Sequence, residues 1–270
     1  MKFVDTSVLR IGYEEWNPHA ERAVVLLHGW PDSPRTWTCV APALAEQGWH
    51  VIVPALRGFS PTSFLRPDTP RSGQLSALGR DVLELIDRLQ LKQVALVGHD
   101  WGARAAANAC VLQPGVASHL VMMSVAYGTN LPSQELTLEQ ARNYWYHWYM
   151  ATPRGHRTVR ESGYSFARMM WDTWSPAGWY EKEEFDATAQ AFVNDDWPEV
   201  TLHSYQHRWG HAAGDPRYDV DEQCLSQVTP LGVPTLVLHG GADGVNAPET
   251  SEGKEPVSYT HLTLPTIYSV

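Results

Sequence analysis

Two glycines four residues apart, Gly98 and Gly102, constrain this chain more than any other feature. They flank Asp100 in Val97-Gly98-His99-Asp100-Trp101-Gly102-Ala103-Arg104, which follows the apolar run VALVG and opens a helical pattern from Ala103 to Leu112. Small residues on both sides permit a sharp turn from a buried strand into a helix. Such a turn lifts the middle side chain above a sheet and leaves helix N-terminal N–H groups beside it. Here the middle residue is a carboxylate rather than a serine. A carboxylate needs no base to be nucleophilic near neutral pH, and it attacks carbon by displacement to give an alkyl-enzyme ester. The competing reading of Asp100 is a helix N-cap.

The surroundings of that turn set the fold class. Apolar runs bounded by turn residues, Ala23 to His28, His50 to Pro54, Gln93 to His99 and His119 to Val125, read as buried strands. Helical patterns lie between them. The clearest places Leu75, Leu78, Val82, Leu85, Ile86 and Leu89 on one face, with Asp81, Glu84, Asp87 and Arg88 on the other. Strands alternating with helices at this spacing predict an α/β architecture with a mostly parallel sheet and right-handed crossovers. From Ala126 to about Gln227 strand patterns vanish, and seven of the twelve tryptophans fall between Trp145 and Trp209. That stretch reads as an inserted helical cap, residues 126–227, in a core made of residues 1–125 and 228–255. The strand pattern returns at Thr235 to His239, followed by the turn GGAD.

Composition removes several functions. With 30 acidic against 20 basic residues the formal charge is -10, so most of the surface would repel a phosphate backbone and nucleic acid is not an expected partner. No run approaches the roughly 18 apolar residues of a membrane span, and MKFVDTSVLRIG lacks a signal-peptide core; the expected compartment is the cytoplasm, without a membrane partner. Cys39, Cys110 and Cys224 show neither a disulfide framework nor metal-ligand spacing and read as core thiols; no metal and no cofactor is expected.

A second motif, His28-Gly29-Trp30-Pro31, directly follows the strand AVVLL, about seventy residues before the turn at Asp100. A loop there places backbone N–H groups beside Asp100, and with Trp101 they would form an oxyanion hole. With both motifs in place, the chain resembles the α/β-hydrolase superfamily, in its epoxide hydrolase and dehalogenase branch. The resemblance rests on GHDWG and on HGWPDSPRTWTCVAPALAEQGWHVIVPALRGFSPTS, and runs from about Ala23 to Glu255. One departure is visible: where such proteins commonly carry an aspartate before the RG turn, this chain has Ala55.

The resemblance implies further parts. Asp243, in HGGAD, matches the acid that holds the catalytic histidine; a simple turn aspartate is the alternative. Tyr146, within YWYHWYMATP, and Tyr205, within HSYQHRW, resemble the two phenols that stabilise the alkoxide as an epoxide opens, with packed cap aromatics as the alternative. The histidine should follow Asp243 by some thirty residues in a GHF-like loop, and no such motif occurs. The last fifteen residues, PVSYTHLTLPTIYSV, resemble a translated sequencing adaptor, so the native sequence is expected to end near Glu255, with 256–270 a non-native tail. His261 is therefore not assigned as the base. The chain as written is expected to form the ester and hydrolyse it poorly.

Three functions follow in order. The first is hydrolysis of a small hydrophobic epoxide to a vicinal diol. The second is haloacetate or haloalkane dehalogenation by the same aspartate: an indole N–H can solvate halide, and Arg104 matches one of two carboxylate-binding arginines of the haloacetate type. Trp101 stands where the other would be, and Tyr146 lies where a histidine is expected. The third is a non-catalytic protein that binds a ligand in the same pocket.

Overall fold

The computed structural model describes residues 1–129, 135–227 and 229–251, and the backbone of 260–264. Strands β1 (Lys2–Asp5), β2 (Leu9–Trp16), β3 (Ala23–Leu27), β4 (His50–Pro54), β5 (Ser63–Phe64), β6 (Ala95–His99), β7 (His119–Met123), β8 (Thr235–Gly240) and β9 (Thr260–Leu264) form one sheet. Its order is β1-β2-β4-β3-β6-β7-β8-β9, with β5 paired to β2. From β4 to β9 every pairing is parallel, while β2 joins β1, β4 and β5 antiparallel.

The sheet is covered on both faces because its central strands are apolar at every position. Within β3 and β4, Val24, Leu26, Val51 and Val53 point to one side and pack with Ala41 of α1 (Val40–Glu46). Val25, Leu27 and Ile52 point to the other and pack with α2 (Leu75–Arg88) and α3 (Trp101–Leu112). Each face would be exposed if either helical layer were missing, which is why these strands read as continuous apolar runs.

Between β7 and β8 lie the helices α4 (Leu138–Asn143), α5 (Trp145–Met150), α6 (Pro153–Trp174), α7 (Lys182–Ala189), α8 (Asp196–Arg208) and α9 (Asp219–Leu225). Their starts are written in local chemistry. Thr152 accepts from the Gly155 N–H at 3.0 Å ahead of Pro153, and Asn194 Oδ1 accepts from the Asp196 and Trp197 N–H groups at 2.9 and 2.8 Å.

Several expectations change. The N-terminal pair β1 and β2 carries no apolar run and sits at the sheet margin. Asp81, placed by periodicity on the solvent face of α2, is buried, because the Arg57 fork takes its two oxygens at 2.6 and 2.7 Å. Of the three cysteines read as core thiols, only Cys110 is buried; Cys39 and Cys224 are exposed. In the tail, residues 260–264 extend the sheet beside β8, where the sequence shows no period, and the His261 backbone pairs with Val237. Residues 252–259, including Glu255, and 265–270 lie outside the described residues, as does the side chain of His261.

Candidate active site

The chain leaves β3 for β4 on one side and later enters β6 on the other, so the strand order reverses between β3 and β6. Loops at the carboxyl ends of two such strands diverge and leave a crevice. Leu27 pairs with Gly98, so the 28–31 loop and the turn at Asp100 emerge side by side in that crevice.

The turn is as tight as its glycines suggest. A Cβ on Gly98 would stand 2.3 Å from the carbonyl carbon of Gly102, and one on Gly102 would stand 2.2 Å from the Leu27 carbonyl oxygen. Asp100 itself has φ 46° and ψ -109°, a backbone conformation that side chains other than glycine avoid. Its N–H is held by the Met123 carbonyl at 3.1 Å, and its side chain makes no capping bond to α3. The N-cap reading therefore does not describe this residue. Instead Asp100 Oδ2 accepts the Trp30 N–H at 3.0 Å.

Within His28-Gly29-Trp30-Pro31 the roles separate. His28 is fully buried; its Nδ1 lies 2.8 Å from the Gly29 carbonyl, and its Nε2 accepts the Leu56 N–H at 3.0 Å. Burial pushes its pKa down to about 4, so it is neutral and braces the loop. Trp30 supplies the N–H at Asp100, and the Pro31 carbonyl accepts Trp171 Nε1 of α6 at 2.8 Å, tying the loop to the helices above. Arg57, two residues after Ala55, is held by Asp81 and by the Ser72 carbonyl.

Trp30 gathers the aromatic residues. Its ring is stacked on Tyr146 at 5.8 Å and 7°, and meets Tyr205 edge-on at 5.1 Å. The two tyrosine rings are 5.4 Å apart in a T-shape. Tyr205 accepts a hydrogen bond from Trp101 Nε1 at 3.2 Å, which leaves the phenol hydrogen for another acceptor. Burial, with Asp100 nearby, pushes both phenol pKa values far above the ordinary 10, so both remain O–H donors at neutral pH.

Asp243 follows β8. Its Oδ1 accepts the Val245 and Asn246 N–H groups at 2.8 Å each, as a turn aspartate would. Its Oδ2 is buried without a hydrogen-bond partner among the described residues, which a turn aspartate alone does not require. Burial is the main reason its pKa rises to about 6; the two N–H bonds and the Ser124 side chain oppose the rise, and Asp100 adds to it. Asp100, Asp243, Tyr146 and Trp30 line one cavity together with Ser124, Trp174 and Asn246. The space is small, about 10 Å³, close to the volume one water needs.

Sequence reasoning missed several of these neighbours. Thr201 accepts Trp30 Nε1 at 3.0 Å, Asn246 Oδ1 accepts the Tyr144 hydroxyl at 2.7 Å, and Ser124 sits at the end of β7 with φ 66°. Each is defined by contacts between distant parts of the chain, and no local pattern announces them.

A model of the alpha/beta hydrolase fold family matches residues 22–253. Among curated proteins, the chain is similar to epoxide hydrolase A of Mycobacterium tuberculosis, 30% identical over 155 residues, covering 56% of this chain and 48% of that protein. It is also similar to epoxide hydrolase 2 of Siraitia grosvenorii, 38% identical over 111 residues, covering 41% of this chain and 34% of that protein. The chain thus spans half or less of the length of these curated relatives. Among solved structures, one from Klebsiella pneumoniae, provisionally assigned as an epoxide hydrolase, is 36% identical with a TM-score of 0.92, covering 100% of this chain and 90% of that one. Epoxide hydrolase A from Mycobacterium thermoresistibile, at 21% identity and a TM-score of 0.73, covers 100% of this chain and 92% of that one and shares the fold.

Proposed function

The chain belongs to the alpha/beta hydrolase fold family, and within it we propose that it opens epoxides through an ester on Asp100. The observation that carries this reading is the pairing of a carboxylate on a strained strand-to-helix turn with two buried phenols grouped around Trp30. One Asp100 oxygen attacks an epoxide carbon, the carbon–oxygen bond breaks, and the emerging alkoxide takes a proton from Tyr146 or Tyr205. The Trp30 N–H, on the other carboxylate oxygen, is placed to stabilise the oxyanion when water later attacks the ester. The curated relatives named above support the substrate class.

Hydrolysis of the ester needs a base, and Asp243 is the acid that would orient it. Among the described residues no histidine bonds to Asp243, and we propose that ester accumulates faster than diol is released. The helices 126–227 act as the cap that carries the phenols over a core of 1–125 and 228–255, whose sheet residues 260–264 extend. Dehalogenation is less well served. The indoles of Trp30 and Trp101, which could solvate a halide, are already bonded to Thr201 and Tyr205.

Incubation of the folded chain with a small epoxide, followed by intact and peptide mass spectrometry, tests this. An adduct on Asp100 with the full epoxide mass, or release of diol abolished by Asp100→Asn, is the expected result. An adduct from a haloacetate that lacks the halogen would establish the dehalogenase instead. A folded chain giving neither adduct nor product would overturn both and leave a ligand-binding protein.

A further inference from the structure

A larger cavity, about 290 Å³ with Arg104 and Arg208 in its wall, shares no lining residue with the one at Asp100. The groups beside the reacting carboxylate are therefore those of the smaller wall, and several are already engaged. Trp30 gives its backbone N–H to Asp100 and its indole N–H to Thr201. Asp243 Oδ1 holds two backbone N–H groups, and the Ser124 hydroxyl lies 3.1 Å from His99 Nε2. Asn246, 7% exposed, is held from two directions. Its backbone N–H goes to Asp243, and its Oδ1 accepts the Tyr144 hydroxyl at 2.7 Å. With the carboxamide oxygen fixed in this way, the two N–H groups of Nδ2 lie on its other side. Nδ2 makes no hydrogen bond among the described residues and keeps accessible surface, whereas Asp243 Oδ2 is closed off.

In a space of about 10 Å³ the groups of the wall stand within contact of one small molecule. A substrate on Asp100 thus places the atoms next to its epoxide ring against Asn246. A hydrocarbon there strips water from Nδ2 without replacing the bond, whereas an oxygen accepts it. Asp100 and Asp243 in the same wall disfavour an anionic oxygen, which leaves a neutral one. We propose that Asn246 sets the substrate class: a small epoxide with an ether oxygen on the carbon beside the ring, bound through Nδ2 and preferred over its hydrocarbon isostere. This rests on ring opening at Asp100. Asn246 takes no part in the bond making and acts on selectivity.

Ester formation by the full chain, followed by intact mass against time, tests it with glycidyl methyl ether and 1,2-epoxypentane, which differ by an oxygen in place of a methylene. Each rate is divided by that epoxide's rate with acetate in water, which removes the difference in intrinsic reactivity. At equal subsaturating concentration the ether should then react at least about tenfold faster. Asn246→Leu, which keeps the shape of the side chain and removes its polar atoms, should reduce that preference to less than about twofold. Should Asn246→Leu fail to fold by circular dichroism, Asn246→Asp, which keeps an acceptor for Tyr144 and lacks the amide donors, carries the same expectation. Matched rates for the two epoxides in the unaltered chain, or a preference that survives in a folded Asn246 variant, would overturn the proposal and leave the reading of Asp100 standing. Ester from neither epoxide would overturn that reading and the proposal together.

Discussion

Two cavities differ in charge, in room and in how far their polar groups are satisfied. The one at Asp100 contains two carboxylates and about 10 Å³ of space; the one at Arg208 contains two guanidinium groups and about 290 Å³. At Asp100 the Trp30 N–H, the Met123 carbonyl and the Trp101–Tyr205 bond fix the groups before any substrate arrives. At Arg208 two guanidinium donors are buried and unmet among the described residues. The first arrangement suits bond making, where fixed dipoles lower a barrier. A chamber with space for about one water is smaller than an epoxide, so Tyr146 of α5 or Trp174 of α6, which line it, must shift before an epoxide can reach Asp100.

The contrast can be broken most severely at the nucleophile. Asp100→Asn should lower ester formation by at least about 10³-fold, read by intact mass against time. Next in size is a stability effect. The Asp243 carboxyl has a folded pKa of about 6 against an ordinary 3.8, so it stabilises the fold while protonated; that contribution is whole below about pH 4 and is lost as pH rises through 6. Asp243→Asn, which keeps an acceptor for the Val245 and Asn246 N–H groups, should raise the unfolding free energy at pH 8 by up to about 3 kcal/mol. Urea titrations should show that gain vanishing near pH 4. Tyr146→Phe and Tyr205→Phe should each slow ring opening by about 10²-fold while leaving the fold intact. The smallest effect belongs to Trp101→Phe. Removing one indole bond of about 1 kcal/mol frees the Tyr205 oxygen and should change the same rate by about fivefold.

How much of this could be read from the sequence varied by region for physical reasons. Strands β3, β4 and β6 are buried on both faces, and β7 and β8 on one face with the other half-covered, so their apolar runs are legible. Strands β1 and β2 are partly exposed, and KFVD and LRIGYEEW mix charges with apolar residues, which hides them. The turn at Asp100 is encoded by its chain neighbours Gly98 and Gly102 and needs no distant contact to be recognised. The inward turn of Asp81 depends on Arg57, 24 positions away, and the Arg104–Arg208 cavity depends on helices far apart in the chain. Periodicity assigns a face to a residue from its own helix alone, and a guanidinium supplied by another segment can reverse that assignment.

The Trp30 ring lies almost parallel to both Tyr146 and Trp197, at 7° and 8°, with centroids 5.8 and 6.2 Å away. Aromatic chromophores this close couple their transitions, so the stack should give the protein a strong near-ultraviolet dichroic band. Trp30 belongs to the loop after β3, while the other two rings ride on α5 and α8. The band therefore reports the distance between sheet and helices, and it would let the opening stroke be timed in a stopped-flow spectropolarimeter with no label attached.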